Sequence, residues 1–361
     1  MTIGILTFHT AHNYGAVLQC FALQEYIKSL GHKVYIIDYR PKYITNTYKK
    51  HSWRNWICSK PMIELKKLTF EPFLFHIRSK RYNNFVDFIQ NYLNLYPYNI
   101  GMNYSEFDAI IVGSDQIWEA AITGGQFDKE FFGINAVCKV FSYAASNKST
   151  FLNKKEISFY QTHLQNFIGI GVRENTLKKL LEPIVNKNIY LNIDPTLLAG
   201  DILKNIISNK RLHKKRYVVV YEIIEHKEVF WNAKKYAKDI NADIVILNAD
   251  IRYDHLKYRN QTASPVDFFN YIRNAECVFT TSFHGTAISI LCKTNFYCFK
   301  QHTSSDTRSQ SLLETIGLSD RFIEMGAELS YNDIDYKKNE KLNHFIHQSK
   351  KYINDCITIS I

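Results

Sequence analysis

The chain has 361 residues, a formal net charge of +11 and an apolar content of 46%, which together allow two globular domains with a sizeable core. No run of about 18 apolar residues occurs, which argues against a spanning helix, and the first residues, MTIGILTFHT, lack the basic start of a secretory signal. The seven cysteines form no CxxC pair. We therefore expect neither a disulfide framework nor a metal site, and a reducing cytoplasm fits best.

Apolar runs alternate with helix-like segments along the chain. In the first half we expect strands at 2–8, 33–39, 107–112, 139–144, 168–172 and 189–193, with helices at 16–30 and 154–167. In the second half we expect strands at 217–221, 243–247, 277–281 and 295–299, with helices at 227–240, 265–274 and from residue 286. This alternation is typical of parallel sheets, so the sequence predicts an α/β fold of two Rossmann-like, doubly wound domains.

We place the first domain at 1–200, with an insertion at 42–100, and the second domain at 201–335. Residues 194–216 would be the linker, and a C-terminal helix at 336–361 would pack back on the first domain. The insertion is rich in aromatic residues, and its lysines and arginines concentrate in 42–82. A solvated insertion packed on the domain is our first interpretation, and contact with an anionic membrane surface is the second. The basic residues match no nucleic-acid motif, so we expect no nucleic-acid partner.

Polar side chains follow the predicted strands. In open α/β sheets, ligands bind outside the carboxyl ends of the strands, so these loops are the candidates for a functional site. In chain order they are 9–15, 113–116, 143–146, 173–174, 194–196 and 282–285.

The most informative loop is TTSFHGT, at 280–286. It stands between an apolar strand and a helix, an arrangement that points backbone N–H groups and a helix N-terminus at an anion. Ser282, His284, Gly285 and Thr286 are therefore candidate ligand contacts. A lone histidine is often a satisfied core residue, but the neighbouring hydroxyl and glycine favour the anion role for His284.

The first loop ends in Asn13, Tyr14 and Gly15, directly before a predicted helix. Gly15 would let a ligand approach the helix N-terminus closely, and Asn13 could cap the helix. An ordinary capping turn is the simpler interpretation. The pattern is not GxGxxG, so the sequence does not predict a dinucleotide site.

Charged candidates occur in the loops at 113–116 and 173–174. Asp115, between Ser114 and Gln116, could serve as an acid or base, or could merely hold its loop as an Asx-turn. Arg173 ends a core strand, where a guanidinium suits bidentate binding of phosphate or carboxylate. Glu174 beside it could simply pair with it.

Arg308 is a further candidate cation. It falls in a polar stretch that we place just before a helix at 309–316. A surface ion pair is the simpler interpretation, and a second ligand contact is the alternative.

Taken together, the loops resemble those of the polysaccharide pyruvyl transferase family. The matching stretches are FHTAHNYGAVLQ (8–19), VGSDQIW (112–118), SYAAS (142–146), GVREN (171–175), DPTLL (194–198), SFHG (282–285) and DTRSQSLLETIGL (306–318). They follow one another in the expected order from end to end of the chain. One mild departure is Gly171, since a small residue such as serine often precedes the VRE core.

The resemblance implies a glycosyltransferase-B-like pair of domains with the active site in the cleft between them. It implies transfer of pyruvate from phosphoenolpyruvate, as donor substrate and without a cofactor, onto a sugar as a ketal. The acceptor would belong to a bacterial surface polysaccharide, such as a capsule or exopolysaccharide, or to its lipid-linked precursor. Arg173 and His284 would contact phosphoenolpyruvate. His284, Asp115 and Glu174 are the available acids and bases, and the sequence does not assign their roles.

Two other classes of protein remain as alternatives. One is a nucleotide-sugar-dependent glycosyltransferase of the same fold, although the usual diphosphate-binding stretch of such enzymes is not obvious. The other is a non-catalytic protein bound to a membrane surface, which leaves the polar residues at the strand ends unexplained. We expect a cytoplasmic enzyme, with contact between residues 42–82 and the inner face of the membrane as an open question.

Overall fold

A computed structural model of the chain describes residues 1–48, 61–248 and 257–359. Part of the basic segment, residues 49–60, lies outside the described residues, and in 61–74 only the backbone is described. Within these ranges the chain forms two parallel sheets with helices packed on them.

The first sheet has seven strands in the order β3-β2-β1-β4-β5-β6-β7. Its strands are β1 (Thr2–Leu6), β2 (Lys33–Ile37), β3 (Leu95–Tyr96), β4 (Ala109–Val112), β5 (Lys139–Ala145), β6 (Gly169–Val172) and β7 (Ile189–Leu191). The helices that accompany it are α1 (Tyr14–Ser29), α2 (Lys42–Thr47), α3 (Pro61–Tyr92), α4 (Lys154–His163), α5 (Asn175–Leu181), α6 (Pro195–Leu198) and α7 (Gly200–Ile206). Strands β4 and β6 are buried along their whole length, which is why they consist of apolar residues and glycine.

The second sheet has six strands in the order β10-β9-β8-β11-β12-β13. Its strands are β8 (Tyr217–Glu222), β9 (Asp243–Asn248), β10 (Arg259–Asn260), β11 (Cys277–Thr280), β12 (Asn295–Phe299) and β13 (Phe322–Ile323). The accompanying helices are α8 (Lys227–Asp239), α9 (Pro265–Arg273), α10 (Phe283–Cys292) and α11 (Asp306–Thr315), and the last helix of the chain is α12 (Glu340–Thr358). Two parallel doubly wound sheets confirm the predicted fold class.

Two of the predicted helix boundaries are wrong in ways that bear on the site. Helix α10 begins at Phe283 rather than at residue 286, because Ser282 takes the N-cap position. Arg308 lies inside α11 rather than in a loop before it. The predicted linker contains α6 and α7, and Asp194 is the N-cap of α6: its side chain accepts from the Thr196 amide, and Pro195 takes the first helical position.

The two halves of the chain contact each other directly. The Tyr14 hydroxyl donates to the Ala263 carbonyl at 3.0 Å, and the Tyr14 ring stacks on Phe268 at 4.4 Å. Helix α12 lies against the first sheet, where the Tyr352 hydroxyl donates to the Ser142 carbonyl at 2.7 Å. These contacts bring the carboxyl ends of β1 and β11 together.

Candidate functional site

The site begins where the N-terminal ends of α1 and α10 meet. Asn13 caps α1, and its side-chain oxygen accepts hydrogen bonds from the amides of Gly15 and Ala16. A Cβ atom built on Gly15 would lie 2.0 Å from Nδ1 of His284, closer than any two such atoms approach. Residue 15 must therefore be glycine for the imidazole to pack on the backbone of α1.

The hydroxyls around α10 hold the turn that presents His284. Ser282 Oγ accepts from the Gly285 amide at 3.4 Å, and the Thr286 hydroxyl donates back to the Ser282 carbonyl at 3.1 Å. A Cβ on Gly285 would lie 2.5 Å from Thr280 Oγ1. These three residues thus shape the turn, and the Gly285 amide is already bound within it.

Arg173 contacts three carboxylates of the site, and its side chain is only 2% exposed. Nη1 donates to Asp194 at 3.0 Å and Nε donates to Glu174 at 3.2 Å, while Nη2 lies 3.5 Å from Asp115. The guanidinium also lies over the ring of Phe283, 4.5 Å from its centroid. Three carboxylates and one aromatic face hold this cation in a single orientation.

Asp194 connects Arg173 to His284. Its Oδ2 lies 3.6 Å from Nε2 of His284, an ion-pair separation, while Oδ1 accepts from the amide and hydroxyl of Thr196. Burial alone would raise the pKa of Asp194, but His284, Arg173 and Thr196 outweigh it and hold the pKa well below its usual value. Asp194 is therefore a fixed negative charge between Arg173 and His284.

The pKa of Glu174 is shifted in the opposite direction to that of Asp194. Glu174 is fully buried, and its Oε1 accepts from the Ser146 hydroxyl at 2.5 Å. Burial raises its pKa in spite of Arg173, Ser146 and Arg308, which act to lower it. Its second oxygen, Oε2, has no hydrogen-bond partner. Glu174 is thus a carboxyl group that keeps a proton more firmly than Asp194 does.

Asp115 occupies a turn with positive φ, 81°, a conformation that aspartate tolerates better than most residues. Its main-chain carbonyl accepts from the amides of Ile117 and Ser146, which ties this turn to the end of β5. The side chain is 13% exposed. Asp115 is thus the most accessible of the three carboxylates around Arg173.

Arg308 approaches the same group from α11. Burial lowers its pKa, and the nearby positive charge of Arg173 lowers it further. Its Nε has no hydrogen-bond partner. The helix is fixed at this place by Ser311, whose hydroxyl accepts from the Asn175 amide at 2.9 Å. The simpler interpretation from the sequence, a surface ion pair, therefore does not describe Arg308.

Buried polar atoms without a hydrogen-bond partner concentrate at these loops. Among the described residues, seven of the twelve such atoms belong to them, namely Ser114 Oγ, Gln116 Nε2, Arg173 Nη2, Glu174 Oε2, Thr281 Oγ1, His284 Nε2 and Arg308 Nε. Five of the seven are donors, and His284 Nε2 is a sixth in the tautomer that carries its proton. Since buried donors are rarely left unpaired, this concentration makes the region the candidate functional site.

Most of the predicted site residues lie together, but their roles differ. Tyr14 packs between the halves, where its hydroxyl also accepts from Arg81 at 2.7 Å, and Asn13 is occupied as a cap. The sequence names the loops 194–196 and 282–285 as candidates, but it does not single out Asp194 or Phe283 as parts of the site. The signal for Asp194 was its place at the end of β7, but the proline after it suggested a linker.

No group of side chains suited to a metal ion occurs in the described ranges. Within the same ranges, none of the helices combines the length and apolarity needed to cross a bilayer.

Comparison with known proteins agrees with this architecture. The family model for polysaccharide pyruvyl transferase matches residues 13–303. The chain belongs to the polysaccharide pyruvyl transferase family, which makes it a transferase acting on polysaccharide. No curated protein matches it.

Solved structures with a similar overall arrangement are distant in sequence. UDP-GlcNAc 2-epimerase from Methanocaldococcus jannaschii is 13% identical, with a TM-score of 0.48 over 96% of this chain and 92% of that one. ADP-heptose LPS heptosyltransferase II from E. coli is 9% identical, with a TM-score of 0.39 over 97% of this chain and 100% of that one. These values are too low to bear on function.

Proposed function

We propose that this protein transfers the pyruvyl group of phosphoenolpyruvate to two hydroxyls of a sugar in a bacterial surface polysaccharide or its lipid-linked precursor, forming a ketal in the cytoplasm. The observation that carries the proposal is the set of buried donors without a hydrogen-bond partner around Arg173 and His284. Phosphoenolpyruvate is a compact anion with a phosphate and a carboxylate on one carbon, so it needs two donor-rich patches close together.

In this proposal the two anionic groups are divided between two sets of donors. Arg173 Nη2 and Arg308 Nε form one set, with Gln116 Nε2 beside Asp115. The N-terminal end of α10 forms the other set, with His284 Nε2 and Thr281 Oγ1. Membership of the family supports this ligand.

The chemistry requires one proton for the methylene carbon and a base for each attacking hydroxyl. Glu174 is the proposed proton donor, because its buried Oε2 has no hydrogen-bond partner and burial raises its pKa, and the electron pair of the double bond forms the new C–H bond. One acceptor hydroxyl attacks the central carbon, the C–O bond to phosphate breaks, and the second hydroxyl attacks in turn. One hydroxyl proton replaces that of Glu174, and the other leaves with inorganic phosphate.

Asp115 and His284 are the proposed bases and shuttles for those hydroxyl protons. Asp115 is the more exposed carboxylate beside Arg173, which suits contact with an incoming acceptor. His284 faces Asp194, whose negative charge would stabilise an imidazolium. The reaction as written balances without a metal or an organic cofactor.

The test compares Arg308→Gln with Arg216→Gln. Arg216 is an exposed arginine paired with Glu276 at 3.2 Å, so it is a matched control away from the site. Phosphoenolpyruvate at 100 times its dissociation constant should stabilise the wild type by about 2.7 kcal/mol. Loss of the Arg308 guanidinium should weaken binding roughly 10- to 100-fold, the usual value of a charge-assisted hydrogen bond. The control should bind as the wild type does.

The measurement is thermal unfolding with phosphoenolpyruvate and, separately, with nucleotide sugars. Release of phosphate from phosphoenolpyruvate in the presence of glycolipid acceptors then checks the reaction. Stabilisation by nucleotide sugars and not by phosphoenolpyruvate would instead support a glycosyltransferase.

A further inference from the structure

Helix α8 covers the outer face of the second sheet. It packs through Val229, Ala233 and Ala237, which are buried with residues of β8 and β11. Helices α9 and α10 lie on the other face, where they contact α1 of the first half. The outward side of α8 is therefore turned away from the first half of the chain.

That outward side combines positive charge with an exposed tryptophan. Lys227, Trp231, Lys234, Lys235 and Lys238 are all exposed and recur at the three- and four-residue spacing that puts side chains on one face of a helix. Trp231 is 58% exposed, although it is among the largest apolar side chains. The Lys234 ammonium lies 4.7 Å from the centroid of its ring. Glu228 and Asp239 are the exposed acids of the helix, so the basic residues outnumber them.

Two isoleucines extend the apolar part of this face. Ile223 and Ile224 form the turn between β8 and α8 and are 43% and 60% exposed. Trp231 is four residues into α8, roughly 6 Å along its axis from the first helical residue. The three apolar side chains therefore lie at the same end of the helix, which is the carboxyl edge of the second sheet. No other stretch of nine described residues exposes three large apolar side chains.

We propose that the outward face of α8, with Ile223 and Ile224, is a docking surface for an anionic lipid membrane. Lysines beside an interfacial tryptophan and aliphatic side chains form the combination that binds such a surface, through attraction to lipid headgroups and shallow insertion of apolar groups. The positive charge of the lysines favours an anionic partner. The exposed side chains of Ile223, Ile224 and Trp231 favour a lipid surface over a polyanion that has no apolar part. This surface is separate from residues 42–82, and it does not depend on the proposed chemistry.

The experiment mixes the full chain with phosphatidylcholine vesicles, with and without phosphatidylglycerol, and measures the bound fraction by sedimentation at low and high salt. Binding should require phosphatidylglycerol and should fall with salt. The double variant Lys235→Ala/Lys238→Ala should bind about 25-fold more weakly, since each lysine near a charged surface contributes about fivefold. Lys154→Ala/Lys155→Ala, which removes two exposed lysines of α4, should bind as the wild type does.

Tryptophan fluorescence provides a second readout. Vesicles should shift the emission of the wild type to shorter wavelength, and Trp231→Phe should remove the shift while retaining most of the binding. Equal binding by wild type and Lys235→Ala/Lys238→Ala, equal losses in both lysine pairs, or an unchanged shift in Trp231→Phe would each overturn the proposal. Stabilisation by phosphoenolpyruvate, measured on the same variants, reports on the proposed reaction separately.

Discussion

At the scale of single residues, Arg173 shows why a guanidinium rather than an ammonium occupies the centre of the site. The planar guanidinium directs different nitrogen atoms towards Glu174, Asp194 and Asp115. A lysine has a single ammonium group and could not contact three carboxylates from fixed directions. The same geometry leaves Nη2 without a hydrogen bond. A single side chain therefore organises the loops and still keeps one donor without a hydrogen bond.

We expect Gly15→Ala to disrupt the site with little effect elsewhere. The new Cβ would lie 2.0 Å from Nδ1 and 2.6 Å from Cβ of His284, so the imidazole must leave its position. Affinity for phosphoenolpyruvate, measured by titration calorimetry, should fall at least tenfold.

Gly31→Ala is the matched control. Gly31 follows α1 at its other end, with φ +87°, and a Cβ added there would have nothing within 4 Å of it. Alanine at this position should cost about 1 kcal/mol of stability through backbone strain and leave affinity unchanged. If both variants bind phosphoenolpyruvate like the wild type, the contact between α1 and His284 does not shape the site.

The sequence could predict Arg173 and His284, because each follows an apolar run at a strand end. It could not predict Asp194 as their link, because that role depends on β7 and α10 coming from different halves. The sequence places the hydroxyls of Ser282 and Thr286 next to His284, but their bonds within the turn depend on where α10 begins.

At the scale of elements, strand boundaries were predicted within about two residues wherever a strand is buried on both faces. The edge strands β3, β10 and β13 have two residues each, too few for a pattern to reveal. The start of α10 was predicted three residues late. Phenylalanine, histidine and glycine are weak helix formers, and packing against α1 and β11 overrides that preference.

Strand β8 ends in a second buried carboxyl group that makes stability depend on pH. Burial raises the pKa of Glu222 from its ordinary 4.5 to about 8. Between these two pH values the folded state holds a proton that the unfolded chain has released. The contribution of Glu222 to the free energy of unfolding is therefore greatest below pH 4.5 and is lost as the pH rises towards 8. The groups that face Glu222 are His226, Glu225, Glu228 and Arg259.

We expect Glu222→Gln to remove this loss. The amide keeps an oxygen for the His226 amide, which lies 3.1 Å from Oε1 of Glu222, and it carries no charge. The free energy of unfolding, measured by urea denaturation, should fall in the wild type by at most roughly 1.4 kcal/mol per pH unit across this window. The variant should show a flatter profile.

Glu106→Gln serves as the control, since Glu106 is exposed. Its profile should follow that of the wild type. Parallel profiles for wild type and Glu222→Gln would show that Glu222 ionises without cost in the folded protein.

At the scale of the whole molecule, Tyr14 contacts residues of the second half of the chain and thereby connects the two halves. Its ring is fully buried against Phe268, and its hydroxyl lies between the Ala263 carbonyl and the Arg81 guanidinium. Asn84 of α3 adds a hydrogen bond to the Thr262 carbonyl at 2.6 Å. Helix α3 thus binds the second half through the same loop as Tyr14 does.

We expect Tyr14→Phe to lower the free energy of unfolding by about 2 kcal/mol, because a buried hydrogen bond to a charged group is lost. Tyr190→Phe, at a tyrosine that is 45% exposed, should change it little. Urea denaturation of both variants measures the difference. Equal stabilities would show that water replaces the hydroxyl at this contact.

The contact between Gly15 and His284 has a consequence for how relatives of this chain can differ. A backbone that packs directly on an imidazole leaves no volume for a side chain at residue 15. The two positions, 269 residues apart in the chain, therefore share one small space. Among homologous sequences, a larger residue at the first position should occur only together with a smaller one at the second, so the pair should evolve as a unit.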